Sequence, residues 1–398
     1  MVEFTWQGFE HSVLRQGRDL LLMDPRGTGM AQPRLDCPSI VSYGLQQLNQ
    51  RQLQPEQSSV EDQILRECIA RLQQQGVDVA QYNSKSVVED LKLLQQALQL
   101  EQWSLFGVSY GAVYALLYTN EAPEHVETLI LDSPAFPAVK NVENPAGRFM
   151  ATFQQLENYC QFDDACTEPL PDFPERLWQL AEKLDLQPLT VSIPSGFFGM
   201  NIPVQLSGEM FLNLLAWAAY DNAIYRELPQ IVTALEQGNV SPFYEYVDSY
   251  VSYIKDNDFS VVSMASHLCF DEVPFMDYIK LKQSFSELPE GFLRDAGLSA
   301  YQWPASLCPV FGPGNSGNEI MVKQTLTSIP TLFLQGILDT VTPLEDVKQQ
   351  MPFFSRSQLR VYPLSHGVHG RLDCVDKDLA VFLSAPQQVA QPAACQLN

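Results

Sequence analysis

At 398 residues and 44.8 kDa the chain is long enough for one large domain or two ordinary ones, which excludes a short peptide, a zinc finger or a lone recognition module. Hydrophobic residues make up 45% and charged residues 18%, a balance that supports a real core and excludes a disordered chain. With 24 Lys and Arg against 47 Asp and Glu the net charge is −23, so the surface repels phosphate backbones and argues against nucleic-acid binding.

No stretch reaches the roughly 20 consecutive apolar residues needed to span a bilayer, and no membrane insertion is expected. The opening residues show neither the basic nor the apolar region of a secretory signal. Short apolar runs at 19–24, 103–108, 128–132, 331–336 and 359–362 predict strands, and their lack of alternation predicts a parallel sheet covered on both faces. Between the first two runs, Ser86 and Glu89 suggest a capping-box helix start, followed by Val87, Leu91, Leu94 and Leu98 at helical spacing. Strand and helix alternating in this way is the grammar of an α/β fold.

From about residue 137 to 329 the pattern changes. Helical periodicity dominates at 206–220 and 224–238, with proline-punctuated segments between and only weak strand signals. The expected organisation is an α/β core in two pieces, 1–136 and 330–398, around a mainly helical lid-side insertion, 137–329. The Gln-rich segment 46–57 and the tail from Pro386 read as solvated loop or linker.

The eight cysteines, Cys37, Cys68, Cys160, Cys166, Cys269, Cys308, Cys374 and Cys395, form an even set with no Cys-x-x-Cys pair and no Cys/His cluster at zinc-ligand spacing. Disulfides fit better than a metal site, with free thiols buried as small core residues the remaining alternative. No metal and no cofactor is expected.

The most informative segment is Gly107-Val108-Ser109-Tyr110-Gly111, which closes one apolar run and opens a helical pattern. Strand, sharp turn and helix in that order is what a nucleophile elbow requires. The strained turn holds the serine hydroxyl exposed, and glycines two places either side let strand and helix crowd together. The helix N-terminus, beginning with the Tyr110 N–H, favours negative charge developing on an attacked carbonyl.

A serine hydroxyl is a weak nucleophile and needs a base oriented by an acid. Asp339 follows the run 331–336 and His366 follows the run 359–362, giving the chain order Ser, Asp, His that suits this fold. His369 competes as base and Asp132 as acid; His366 is preferred as nearer its strand end, and Asp132 is read as the cap of the turn at Ser133-Pro134. His11 and His125 read as surface histidines, and His267, beside Cys269, as a satisfied structural one.

Taken with Asp24-Pro25-Arg26-Gly27-Thr28-Gly29, the following Cys37 and Cys68, the G-x-x-D-x-x-T-P string from Gly336 to Pro343, and Ser-His-Gly near Cys374, the elbow resembles the proline iminopeptidase and tripeptidyl aminopeptidase branch of the α/β-hydrolases. The likeness is strongest over 19–135 and 330–395 and loose in the insertion. It implies Ser109 as nucleophile, Asp339 as orienting acid, His366 as base, and a periplasmic or secreted enzyme that trims free peptide N-termini. It also implies nearest-neighbour disulfides, 37 with 68, 160 with 166, 269 with 308 and 374 with 395. Asp271 and Glu272 are similar to the acidic pair with which this branch reads a substrate's amine; an ordinary solvated pair is the alternative reading.

The chain departs from the branch by lacking a His-Gly-Gly-Pro-Gly type loop ahead of the Asp-x-Arg-Gly segment, together with the strand before it. That loop supplies one oxyanion N–H, and its loss would slow acyl transfer about a hundredfold to a thousandfold. We therefore expect a segment upstream of Met1, and, without it, a sheet with a gap between the run 19–24 and the run 103–108. Met30-Ala31 stands where the branch often has a serine. Three functions follow: an aminopeptidase working through an acyl-serine, a carboxylesterase with the same three residues, or a non-catalytic remnant of a hydrolase fold.

Overall fold

The computed structural model describes residues 8–395 apart from 51–54, 141–142, 163, 169, 196–198, 256–259, 287, 289–290, 292–305, 313–316, 390 and 394. Its described strands are β1 (Trp103–Val108), β2 (Val126–Asp132), β3 (Leu189–Ser195), β4 (Met200–Leu206), β5 (Thr331–Gly336) and β6 (Ser357–Tyr362). β1, β2, β5 and β6 form one parallel sheet in that order, and β3 pairs with β4 in an antiparallel hairpin.

Side chains on the central strands alternate between two cores, as the period of a strand requires. Leu129, Leu131 and Phe333 pack with Val113, Leu116 and Leu117 of the helix Gly111–Glu121. Ile130, Leu332 and Leu334 pack with Val375, Leu379 and Phe382 of the helix Asp373–Ser384. Covering on both faces explains the unbroken apolar runs. In register, Val108 lies beside Asp132, Asp132 beside Leu334, and Gly336 beside Tyr362, so the carboxyl ends of the four strands come out together. Loops leaving such an edge form the crevice where open α/β sheets place their sites.

Several expectations are corrected. Residues 19–24 form no strand and make no backbone-to-backbone hydrogen bond among the described residues, so the gapped sheet does not arise and β1 is an outer strand. An apolar run without a neighbour has no ladder to join. The helix cap expected at Ser86 lies three residues earlier, at Asn83, whose side chain accepts the Ser86 N–H; the helix is Ser84–Ala97, and Glu89 turns instead to Lys92. Both ends of the Gln-rich segment are helical, the last residues of Pro38–Gln47 and the first of Pro55–Gln74. The tail is tied back where the Ala393 N–H donates to Asp378 and Cys395 bonds Cys374.

Between β2 and β5 the described residues are mainly helical. Pro145–Phe162, Phe173–Leu186, Gly208–Ala218, Ala223–Glu236 and Tyr244–Lys255 share one core that includes Phe153, Leu177, Phe211, Leu228 and Phe243. The hairpin β3–β4 was not legible in the sequence because Pro194 and Pro203 interrupt it. Both prolines lie on its exposed face, opposite Asn201 and Ser192, in a two-stranded unit made only of edges.

The cysteines form four disulfides, Cys37–Cys68, Cys160–Cys166, Cys269–Cys308 and Cys374–Cys395, with none free. Such a set is consistent with an oxidising, extracellular setting. Among the described residues no helix is long and apolar enough to cross a membrane.

Candidate active site

Ser109 sits at the carboxyl end of β1 with φ +54°, a left-handed conformation that an L-residue adopts only under strain. The turn is held from both sides: its N–H donates to the Asp132 carbonyl at 3.0 Å, and its carbonyl accepts from Ala112 and Ala135, each at 3.1 Å. A Cβ on Gly107 would meet Ala112 Cα at 2.7 Å and Ala112 N at 2.8 Å, so this glycine lets the strand and the following helix touch. Gly111 faces open space, and the crowding expected of it is absent. Gly107→Ala is accordingly expected to destabilise the fold by about 2 kcal/mol or more, read as a fall in the denaturation midpoint, whereas Gly111→Ala should be mild.

The Tyr110 N–H donates to no described residue and opens onto the first turn of Gly111–Glu121. Its side chain is partly buried, with the hydroxyl 3.2 Å from both Ser84 Oγ and Asp271 Oδ2; loss of water around the phenol and the Asp271 carboxylate push it well above the usual phenol range.

Asp339 and His366 are brought together from the loops after β5 and β6. His366 Nδ1 lies 3.0 Å from Asp339 Oδ2, with both side chains nearly or wholly buried. Asp339 also accepts the N–H groups of Val341 and Thr342 on Oδ1, and on Oδ2 it meets the Thr342 hydroxyl and the Gln335 amide. Burial opposes its ionisation, but the His366 imidazole and the Thr342 donors outweigh this and hold the carboxyl below its usual range. Nδ1 being engaged, His366 Nε2 is left without a partner among the described residues.

The His366 loop is fitted to the sheet edge. A side chain on Gly336 would run into the carbonyls of Leu364 and Ser365, so the loop's close approach depends on glycine there. From the insertion, Asn222 accepts the Ser365 N–H at 2.6 Å and the Tyr220 ring stands edge-on to His366 at 5.4 Å. Gly367 packs beside Val108, which brings the loop next to the Ser109 turn. No hydrogen bond joins Ser109 to His366 in this structure, a looseness familiar in enzymes without substrate.

The competing candidates take other roles. His369 is stacked on Phe9 at 4.8 Å, bonded to Ser12 Oγ at 2.9 Å, and held below the usual histidine range by burial. Asp132 does not cap the turn at Ser133-Pro134; its carboxylate accepts the N–H groups of Val368 and His369 at 2.9 Å. His267 is satisfied by the Ser263 carbonyl and the Tyr114 hydroxyl.

Asp271 and Glu272 end a single π turn, Leu268–Glu272, and are buried, which removes the solvated-pair reading. They differ sharply. Asp271 is saturated by the Ser84 N–H, the Tyr110 hydroxyl and the Asn318 amide. Glu272 is 5% exposed, its Oε2 has no hydrogen-bond partner, and burial pushes its carboxyl up to about 7 despite the nearby Lys140. Since Tyr110 follows Ser109 and reaches Asp271, the acid pair lies one side chain from the serine turn.

Thr342, Gln335, Tyr220, Asn222 and Asn318 were missed by sequence reasoning. Only Thr342 had a signal, its place in the Gly336 to Pro343 string.

A parallel sheet covered by helices, with a strained serine turn and a His/Asp pair at its carboxyl edge, defines an α/β hydrolase. The family model for the alpha/beta hydrolase fold matches residues 5–368, and the chain belongs to that family. It is 26% identical over 411 aligned residues, 96% of this chain and 74% of the other, to YuaR of Escherichia coli, designated a hydrolase. A Mycoplasma pneumoniae protein designated a proline iminopeptidase is 44% identical over 48 residues, 12% of this chain and 16% of the other. Among solved structures, Bacillus megaterium epoxide hydrolase in complex with an inhibitor is similar at TM-score 0.34 and 13% identity, covering 77% of this chain and 78% of that one. An esterase from Exiguobacterium antarcticum gives TM-score 0.27 and 16% identity, covering 77% and 75%.

Proposed function

We propose that the protein is a serine hydrolase that removes residues from free peptide N-termini, of the proline iminopeptidase or tripeptidyl aminopeptidase type, in a periplasmic or secreted setting. The observation that carries the chemistry is the buried His366–Asp339 pair at 3.0 Å, with Nε2 unengaged, on the same sheet edge as the left-handed Ser109. In this reading Ser109 Oγ attacks the scissile carbonyl carbon while His366 Nε2 takes the hydroxyl proton. Asp339 stabilises the imidazolium, and the Tyr110 N–H donates to the oxyanion. The C–N bond then breaks as His366 returns the proton to the leaving amine, giving acyl-Ser109. Water, deprotonated by His366, attacks that ester, and the proton goes back to Ser109 Oγ.

Glu272 supports the choice of substrate. A buried carboxylate whose Oε2 has no hydrogen-bond partner, within electrostatic reach of the Tyr110 phenol, suits a protonated amine, which would supply the missing donor. Residues 137–329 would serve as the lid-side frame for the peptide. The saturation of Asp271 favours the second reading, a carboxylesterase, since it leaves one acid where the aminopeptidase reading expected two.

An aminoacyl or tripeptidyl arylamide, its N-acetylated form and a short-chain ester separate these readings. Turnover of the free-amine arylamide, lost on acetylation, is the expected result. Turnover of the ester alone would make the protein an esterase. A fluorophosphonate that fails to label Ser109 in folded protein would favour a non-catalytic remnant.

A further inference from the structure

Ser109, Asp339 and His366 arrive from three different strand ends, and β2, which supplies none of them, lies between. We propose that Asp132 and Ser133, at the end of β2, are positioning residues that fix the Ser109 turn, the His366 loop and the Asp339 loop in one register. This inference rests on the hydrolase reading above.

The contacts of this dipeptide go to all three segments. The Asp132 carbonyl accepts the Ser109 N–H at 3.0 Å. Its carboxylate, 1% exposed, accepts two successive N–H groups of the loop just past His366: Val368 reaches Oδ1 and His369 reaches Oδ2, each at 2.9 Å. Ser133 Oγ accepts the Gly367 N–H at 2.9 Å, so residues 367–369 are all held by two adjacent side chains. The Ser133 carbonyl lies 2.8 Å from the hydroxyl of Thr342, the residue whose N–H and hydroxyl both address Asp339. The Ser133 N–H donates to Leu334 of β5, which anchors the dipeptide to the sheet.

The residue types are expensive ones for a merely structural plug. A buried carboxylate must be matched by strong donors, and here the donors come from one loop. Ser133 is held at φ +46° and wholly buried; glycine would adopt that backbone freely but would leave the Gly367 N–H unpaired. Base loops displaced by about 1 Å lose on the order of a hundredfold in rate, so a clamp here acts on rate more than on binding.

The charged and titratable groups around the loop are Asp339 from β5, Asp132 from β2, His369 and Arg371 on the loop, and Asp376 on the following helix. Removing the Asp132 charge should weaken its hold on the Val368 and His369 N–H groups and loosen the loop that carries His366.

The test compares the parent with Asp132→Asn and Ser133→Ala, counting reactive sites with a fluorophosphonate and following hydrogen exchange of the 367–369 amides by NMR. Asp132→Asn is expected to lower kcat per titrated site about tenfold to a hundredfold with KM within about threefold, and Ser133→Ala about threefold to tenfold. Amide hydrogen exchange at Val368 and His369 should quicken in Asp132→Asn, and at Gly367 in Ser133→Ala. Both variants within about twofold of the parent per titrated site, with exchange at 367–369 unmoved, would overturn the proposal even if stability drops. If Asp132→Asn does not fold, Ser133→Ala alone decides by kcat per titrated site. A parent that takes no label refutes the hydrolase reading, and exchange at the 367–369 amides then judges the positioning by itself: faster exchange in the variants supports it and unchanged exchange overturns it.

Discussion

Ser109→Gly is expected to abolish ester and arylamide turnover, by about 10⁴-fold or more, while making the folded protein more stable. Both effects follow from the same geometry. On the proposed mechanism the nucleophile is lost, and with it the acyl-enzyme route, so only oxyanion contacts and binding remain to help water. At φ +54° the parent residue is strained, and glycine relieves roughly 1 kcal/mol of that strain. Ser109→Ala keeps the Cβ and the strain, so it should lose activity equally without the gain. Fluorophosphonate labelling, hydrolysis rates and denaturation midpoints for the three proteins provide the check. A Ser109→Ala protein that retains a tenth of the parent's rate would place the nucleophile elsewhere.

Glu272→Gln is expected to separate stability from function in the same sense, but only above neutral pH. The carboxyl sits at about 7 in the folded protein against an ordinary 4.5, because burial strips its water and its Oε2 has no hydrogen-bond partner. As pH rises the unfolded chain loses its proton first, so the folded state bears a penalty that is absent below pH 4.5 and complete above about 7. Glutamine carries no such penalty. The variant should therefore match the parent near pH 4 and exceed it at pH 8 by on the order of 2–3 kcal/mol, read from denaturant midpoints. If Glu272 receives the substrate's ammonium, the variant's KM for free-amine arylamides should rise about tenfold to a hundredfold, with ester hydrolysis unchanged. In the parent, KM for those arylamides should fall as pH rises through about 7, while the carboxyl ionises, and climb again once the substrate's own amine deprotonates near pH 8. An unchanged KM in the variant would leave Glu272 a buried acid with no part in amine recognition.

Much of the α/β part was readable because its strands are short, apolar and buried on both faces. The runs 103–108 and 331–336 coincide with β1 and β5 to the residue, and 128–132 and 359–362 fall within β2 and β6. The run 19–24 looked the same and failed. Composition reports that a segment can join a sheet, and only a neighbouring strand makes it do so. The hairpin β3–β4 failed in the other direction, since its prolines lie on an exposed face where they cost the ladder little.

Local pattern alone determined that Ser109 stands on a strand-turn-helix bend, that Asp339 and His366 follow strands, and that the chain is an acidic, folded protein with eight cysteines. These are properties of neighbouring residues, fixed by periodicity and by where glycine and proline fall. The tertiary structure decided that Asp132 holds the His366 loop, that Thr342 and Gln335 dress Asp339, and that Asp271 is saturated while Glu272 is left bare. Each depends on donors and acceptors from segments up to 237 residues apart meeting in a space closed to water, where a carboxylate's surroundings set both its partners and its charge.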